Sequence, residues 1–257
     1  MVNKYADTGN IQFEMALCLR LRLPQKCIVK NIRCSCSKPG RIVNPDIYGI
    51  HFCTGCNDDG VRIQTHDRTR DQFERILRYC NILTTREEKN IFRGQDPDNG
   101  KRADISALNL PGKTVKHLLD IRLTSPIPAT NPERLTLAQA KVPLRAANKS
   151  YEEKMRKYAA DADDNNLGFI PIVFEITGRM HPATRDLLHE VIAQKARDKV
   201  APFASMWKYW ISSLMITIQK NLVDGIHERC SNIYGSKFEE THETTRNVII
   251  EIGRMRL

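Results

Sequence analysis

The chain has 257 residues, 41% of them apolar, which is enough for a substantial core of its own. Its 40 Lys+Arg outweigh 30 Asp+Glu to give a formal charge of +10, a balance that suits a polyanionic partner. No run reaches the roughly 18–20 consecutive apolar residues that would cross a bilayer, and the first fifteen lack the charged-then-apolar plan of a signal peptide. An intracellular protein is therefore expected.

Residues 10–24, "NIQFEMALCLRLRLP", form an arm that ends at Pro24. It reads as helical or extended; the alternation in "LCLRLRLP" is strand-like, and its state stays open. Residues 27–60 are rich in cysteine and turns, with Pro39-Gly40, Asn44-Pro45 and Asp59-Gly60 as breakers. A helix is predicted from about Thr65 to Leu83, with Phe73, Ile76, Leu77 and Cys80 as its apolar face. After the loop "GQDPDNGKR", the runs "ADISALNL" and "VKHLLDIRLT" read as two strands paired through Pro111-Gly112. A proline-rich loop precedes a charged helix over 144–160. "FIPIVFEIT" reads as a buried strand, and helices follow near 183–197 and 203–228. In the tail, "NVIIEI" is a candidate last strand. This order predicts an α/β fold, a small mixed sheet flanked by helices.

Two chemistries stand out. Asp104 in "KRADI" and Asp120 in "LLDIR" lie sixteen residues apart on the predicted strand pair, which can bring both carboxylates to one sheet edge. Paired carboxylates repel unless a divalent cation lies between them, and Mg²⁺, with its preference for oxygen, suits such a site. Five of the eight cysteines lie between Cys27 and Cys56. Cys34, Cys36, His51, Cys53 and Cys56 offer more soft donors than the four that a tetrahedral zinc needs, with His51 and Cys53 in competition and Cys27 a further candidate. Cys18, Cys80 and Cys230 read as ordinary semi-buried thiols, and His181 as a turn residue. His66, at the helix start, is a candidate to bind phosphate or to orient a neighbour. Arg68, Arg70, Arg75, Arg78, Arg86, Lys89, Arg93, Lys101, Arg102 and Lys113 supply positive charge for a polyanion.

These pieces, in their order, resemble the restriction-endonuclease-like PD-(D/E)xK nucleases. They are most similar to the endonuclease domain at the C-terminal end of non-LTR retrotransposon polyproteins. "CSC…GIHFCTGC" resembles that family's zinc knuckle, "THDRTRDQF" its following helix, "KRADI" its Arg-Pro-Asp, and "LLDIRLTSP" its Asp-Val-Thr-Val-Thr-Ser-Pro strand. "AANKSYEEKMRKYA" resembles its Ala-Glu-x-x-Lys-x-x-Lys-Tyr helix. The resemblance implies an N-terminal arm over 1–26, a zinc knuckle over 27–62, a nuclease core over 63–229 and an extension over 230–257. It implies that Asp104 and Asp120 hold Mg²⁺ or Mn²⁺, with Glu175 and Asp71 as further candidate ligands. It favours Cys34, Cys36, His51 and Cys56 for a structural zinc.

One position departs from the pattern. Arg122 stands where the D-x-K tripeptide has lysine, and arginine does not shed its proton. The family's alternative is a lysine from the next helix. Lys154 matches best, four residues before Tyr158, with Lys157 second and Lys149 third. Lys149, Glu153 and Lys157 share one helix face. The activity implied is metal-dependent DNA hydrolysis, with target nicking for retrotransposition as its setting and the nucleus as its location. A reverse transcriptase domain would be its companion, and a chain that starts at Met1 without one reads as an excised domain or a stand-alone descendant. A silent nucleic-acid-binding module, a zinc-dependent scaffold that binds other proteins, and a nuclease selective for branched DNA or RNA are the alternatives.

Overall fold

The computed structural model describes residues 4–28, 34, 36, 45–56, 61–88, 103–127 and 141–234. The "NVIIEI" segment, Lys89, Arg93, Lys101 and Arg102 lie outside them. Two units make up the chain. One comprises Met1–Arg62, Ile127–Arg134 and Lys220–Leu257, and the other Ile63–Pro126 and Leu135–Gln219.

The second unit is built on a four-stranded mixed sheet in the order β1-β2-β3-β4. β1 (Leu83–Arg86), β2 (Ile105–Leu108) and β3 (His117–Thr124) are antiparallel neighbours, and β4 (Gly168–Glu175) runs parallel to β3. The β2–β3 pair is the one predicted around Pro111-Gly112. β1 is not anticipated from the sequence; the predicted helix end at residue 83 overlaps only its first residue. That helix, α2 (Val61–Tyr79), stops earlier because Asn81 adopts a left-handed φ of +65°, and the Ile82 N–H bonds back to the Leu77 carbonyl at 3.0 Å. Freed from the helix, "LTTR" pairs as a short edge strand.

Strand alternation sorts the residues of β3 and β4 onto two faces. Leu119, Ile121, Ile172 and Phe174 share one face, where Phe174 meets Phe73 of α2 edge-on at 6.4 Å. The predicted α2 stripe of Phe73, Ile76, Leu77 and Cys80 is buried throughout. Leu118, Asp120 and Phe169 belong to the opposite face, which receives α3 (Arg145–Asp164). There Ala162 packs with Leu118 and Ala103, and Tyr158 sits 5.4 Å from the Phe169 ring. α4 (Pro182–Lys199) follows β4. Its N-cap is His181, whose ring Nδ1 accepts the Ala183 N–H at 3.2 Å, in keeping with a turn residue.

β4 begins with a close approach. A β-carbon at Gly168 would lie 2.3 Å from the ring of His117, which is buried and fixed by a 2.9 Å hydrogen bond to the Val115 carbonyl. Gly168→Ala is expected to destabilise the protein by about 1–3 kcal/mol, the usual cost of overpacking. Urea denaturation checks this, and an unchanged midpoint would contradict it.

In the first unit, α1 (Lys4–Leu21) resolves the ambiguous arm as a helix. Met15, Cys18 and Leu19 are buried at helical spacing, whereas Leu17, Leu21 and Leu23 of the strand-like alternation are exposed. A single π-helical turn covers His51–Gly55. α5 (Phe203–Tyr234) extends past the predicted end at 228, and its residues from Lys220 onward belong to this unit. No helix among the described residues is long and apolar enough to cross a membrane.

Candidate functional sites

The sheet face under α3 carries the first site. Ala147, Ser150, Lys154, Tyr158 and Ala162 recur at spacings of three and four, forming the stripe that α3 lays on the sheet. One member of that stripe is a lysine. Its partner is Asp120, buried in β3, with Lys154 Nζ 3.0 Å from Oδ1 and 2.8 Å from Oδ2. Only Oδ1 receives a well-directed hydrogen bond, so Oδ2 is buried without one. Burial raises the Asp120 pKa above its ordinary value; Lys154 opposes that rise, and the nearby Asp104 carboxylate adds to it.

Asp104 precedes β2. The β2–β3 ladder reaches Ile105–Leu119, and the Ile121 N–H beyond it is accepted by Asp104 Oδ2 at 2.6 Å. The same oxygen lies 3.1 Å from His66 Nε2 on α2, and His66 Nδ1 lies 3.1 Å from Asp67. Held between two carboxylates, His66 has its pKa raised to about 9, chiefly by the hydrogen bond to Asp104, with burial opposing and Asp67 reinforcing. Because 9 exceeds the ordinary 6.5, this stabilisation is complete below about pH 6.5 and lost as the pH climbs towards 9. Thermal melts between pH 6 and 10 are expected to show an alkaline decline that His66→Gln flattens. An identical decline in the variant would contradict this assignment.

Several sequence candidates fall elsewhere. Glu175 is buried opposite Thr124, four residues beyond Pro171, the register partner of Asp120. That is about 13 Å along the strand, too far to share an ion with Asp120. Asp71 pairs with Arg86 at 3.0 Å and Arg70 at 3.3 Å. Lys149 is exposed and 3.8 Å from Glu153, and Lys157 is exposed over the Tyr158 ring at 4.9 Å; neither makes the contact with Asp120 that Lys154 makes. Arg122 is exposed on β3.

The expected phosphate contacts also shift. Both His66 ring nitrogens are engaged by carboxylates, which leaves no N–H for a phosphate. Arg70 is buried among Asp67, Asp71 and Glu87, so its charge is used internally. Arg78 and Arg86 bind the buried Glu74. Arg68 is exposed on α2.

The second site lies in the first unit. The donor atoms of Cys34, Cys36, His51 and Cys56 all lie within 4.8 Å of one another. Cys34 and Cys56 sulfurs are 3.7 Å apart, and Cys36 is 3.3 Å from His51 Nε2. Tetrahedral zinc with its usual bond lengths sets its sulfur ligands about 3.8 Å apart, so this donor set fits the metal.

The π turn explains the choice of ligands. Its bond from the Cys56 N–H to the His51 carbonyl, 2.6 Å, brings residues five apart to the same side. Cys53, midway round the turn, is not among the clustered donors. It is buried, and burial pushes its thiol pKa well up, away from the thiolate a metal requires. Asp46, which sequence reading missed, fixes the start of the turn by accepting the N–H groups of Tyr48, Ile50 and His51 at 2.7–3.0 Å.

Ligand protonation follows the same logic. Burial opposes the Cys34 thiolate, but hydrogen bonds from Cys36, Cys56 and Arg229 outweigh it and lower the pKa. Burial lowers His51, which keeps its imidazole neutral, as a ligand must be. Cys27 lies outside the cluster, 3.7 Å from Cys230. No family model and no curated protein matches this chain.

Proposed function

We propose that this protein is a metal-dependent DNA endonuclease of the restriction-endonuclease-like kind, with an N-terminal zinc knuckle. The observation that carries the reading is the Lys154–Asp120 pair on the α3 face of the sheet, with Asp104 beside it. A lysine within a helix's sheet-facing stripe, meeting a buried carboxylate, is costly for packing alone and suits a site that handles a charged substrate.

The donors suit Mg²⁺ or Mn²⁺. Asp120 Oδ2 has the Lys154 ammonium 2.8 Å away but no well-directed hydrogen bond, and the neighbouring Asp104 disfavours the ionised form; a divalent ion would offset that repulsion. Bound there, such an ion lowers the pKa of water and offsets charge on a phosphoryl oxygen. Asp120 and Asp104 would hold it. His66 and the Ile121 N–H fix the Asp104 carboxylate. Lys154 orients the attacking water or neutralises the developing phosphoryl charge. Arg122, permanently charged and exposed, is suited to contact backbone phosphate and not to act as a base.

The +10 charge fits DNA as the substrate. Target nicking beside a reverse transcriptase domain, in the nucleus, is the setting this reading implies.

One observation favours a second reading, a silent nucleic-acid-binding module. Among the described residues, only the Cys/His cluster gathers three or more candidate metal donors, and Asp104 is already engaged by His66 and Ile121. Supercoiled plasmid titrated with Mg²⁺ and Mn²⁺ separates the two. Metal-dependent nicking is expected. Plasmid that is retarded in gels, salt-sensitively, yet stays supercoiled at every metal concentration would overturn the nuclease reading in favour of the module.

A further inference from the structure

The zinc-type donor set has a buried neighbour that its own segment does not supply. Arg229, on the C-terminal part of α5 and 7% exposed, directs its Nη2 at two of the four candidate ligands, 3.4 Å from the Cys56 sulfur and 3.6 Å from the Cys34 sulfur. These contacts join residues 173 and 195 positions apart. Next to it, the buried Cys230 lies against Cys27. One turn earlier, Ile226 closes on Gly49, where a β-carbon would stand 2.9 Å from Ile226 Cδ1. Gly49 also has a left-handed φ of +79°, so a larger residue is excluded twice over.

Charge gives the arrangement its meaning. A divalent zinc with three thiolates and one neutral imidazole carries one net negative charge. Cys34, His51 and Cys56 are all buried, and a buried net charge is costly without a counter-ion. A buried guanidinium has the same difficulty with the opposite sign. Placed together, each lowers the other's cost, and N–H groups directed at sulfur spread the thiolate charge.

We propose that Arg229 is the outer-sphere cation of the Cys34–Cys36–His51–Cys56 centre, so that metal loading and the seating of the last turns of α5 are one event. Arg229 is a positioning residue and does not ligate the metal. The proposal stands on the cysteine cluster and is independent of the nuclease reading.

The test uses the full chain and zinc itself. Zinc affinity is measured by competition with a chromogenic chelator for the wild type, Arg229→Lys, Arg229→Gln and Arg229→Met. Outer-shell losses of this kind weaken metal binding by about tenfold to a hundredfold, and that is expected for Met and Gln, with Lys recovering most of it. The cobalt-substituted protein is expected to show a shifted thiolate charge-transfer band in Met and Gln, less so in Lys. Hydrogen exchange is expected to slow across residues 222–233 when zinc is added to stripped wild-type protein. Should Met not fold, the Lys and Gln pair decides. Equal affinities for Lys and Gln, or exchange in 222–233 that ignores zinc, would overturn the proposal.

Discussion

Replacing Lys154 by methionine is expected to lower metal-dependent plasmid nicking by about a hundred- to a thousandfold, the usual loss on removing one preorganised electrostatic donor. Methionine keeps the unbranched stem, so the α3 stripe retains its packing beside Tyr158. The cationic head is what disappears. On the proposed reading, Asp120→Asn is expected to abolish nicking outright, since it removes the charge that would hold the ion while preserving shape. Both variants should bind DNA nearly as well as the wild type if, as proposed, most affinity comes from the basic surface. Lys149→Met and Lys157→Met serve as controls: their side chains are exposed, and neither makes the contact that Lys154 makes with Asp120. If Lys157→Met lost as much as Lys154→Met, the pairing seen here would not be the reacting arrangement.

Removing a metal bound at the Cys34–Cys36–His51–Cys56 cluster is expected to carry the other large effect. Zinc binding in small Cys/His sites is worth about 10–16 kcal/mol at neutral pH, and where the site forms only in the folded chain this is folding energy. Purified protein is expected to hold one zinc per chain. Cys56→Ser is expected to lose it and to expose the segment around 45–56 to protease, as is treatment with a strong chelator. Cys53→Ser should keep the metal, because Cys53 lies outside the clustered donors. Elemental analysis with limited proteolysis reads both outcomes. Full zinc content in Cys56→Ser, or its loss in Cys53→Ser, would contradict the donor set.

The two sites differ in how they were legible. At the cysteines, sequence supplied more donors than a tetrahedral site takes, and the spacing left His51 and Cys53 as rivals. The π turn separated them, since a bond between residues five apart places His51 beside Cys56 and turns Cys53 into the core. At the acids, Asp104 and Asp120 were visible as carboxylates on paired strands. Glu175 was plausible from its strand alone, but only the β3–β4 register shows it lying far along from Asp120. His66 and Arg70 looked like phosphate contacts because a sequence shows charge without its partner.

Local pattern by itself determined helices α2 to α5, the β2–β3 pair and the buried strand β4, because apolar spacing and turn residues are local, whereas α1 was decided only by the structure. Composition determined the net charge and the surplus of clustered thiols. Tertiary structure alone decided which charged residues have partners: Lys154 with Asp120, His66 with Asp104, and Arg229 with Cys34 and Cys56. These pairs join residues from 34 to 195 positions apart, and no local pattern encodes a contact across such a distance. Their energy depends on burial and approach, which exist only once the chain has folded.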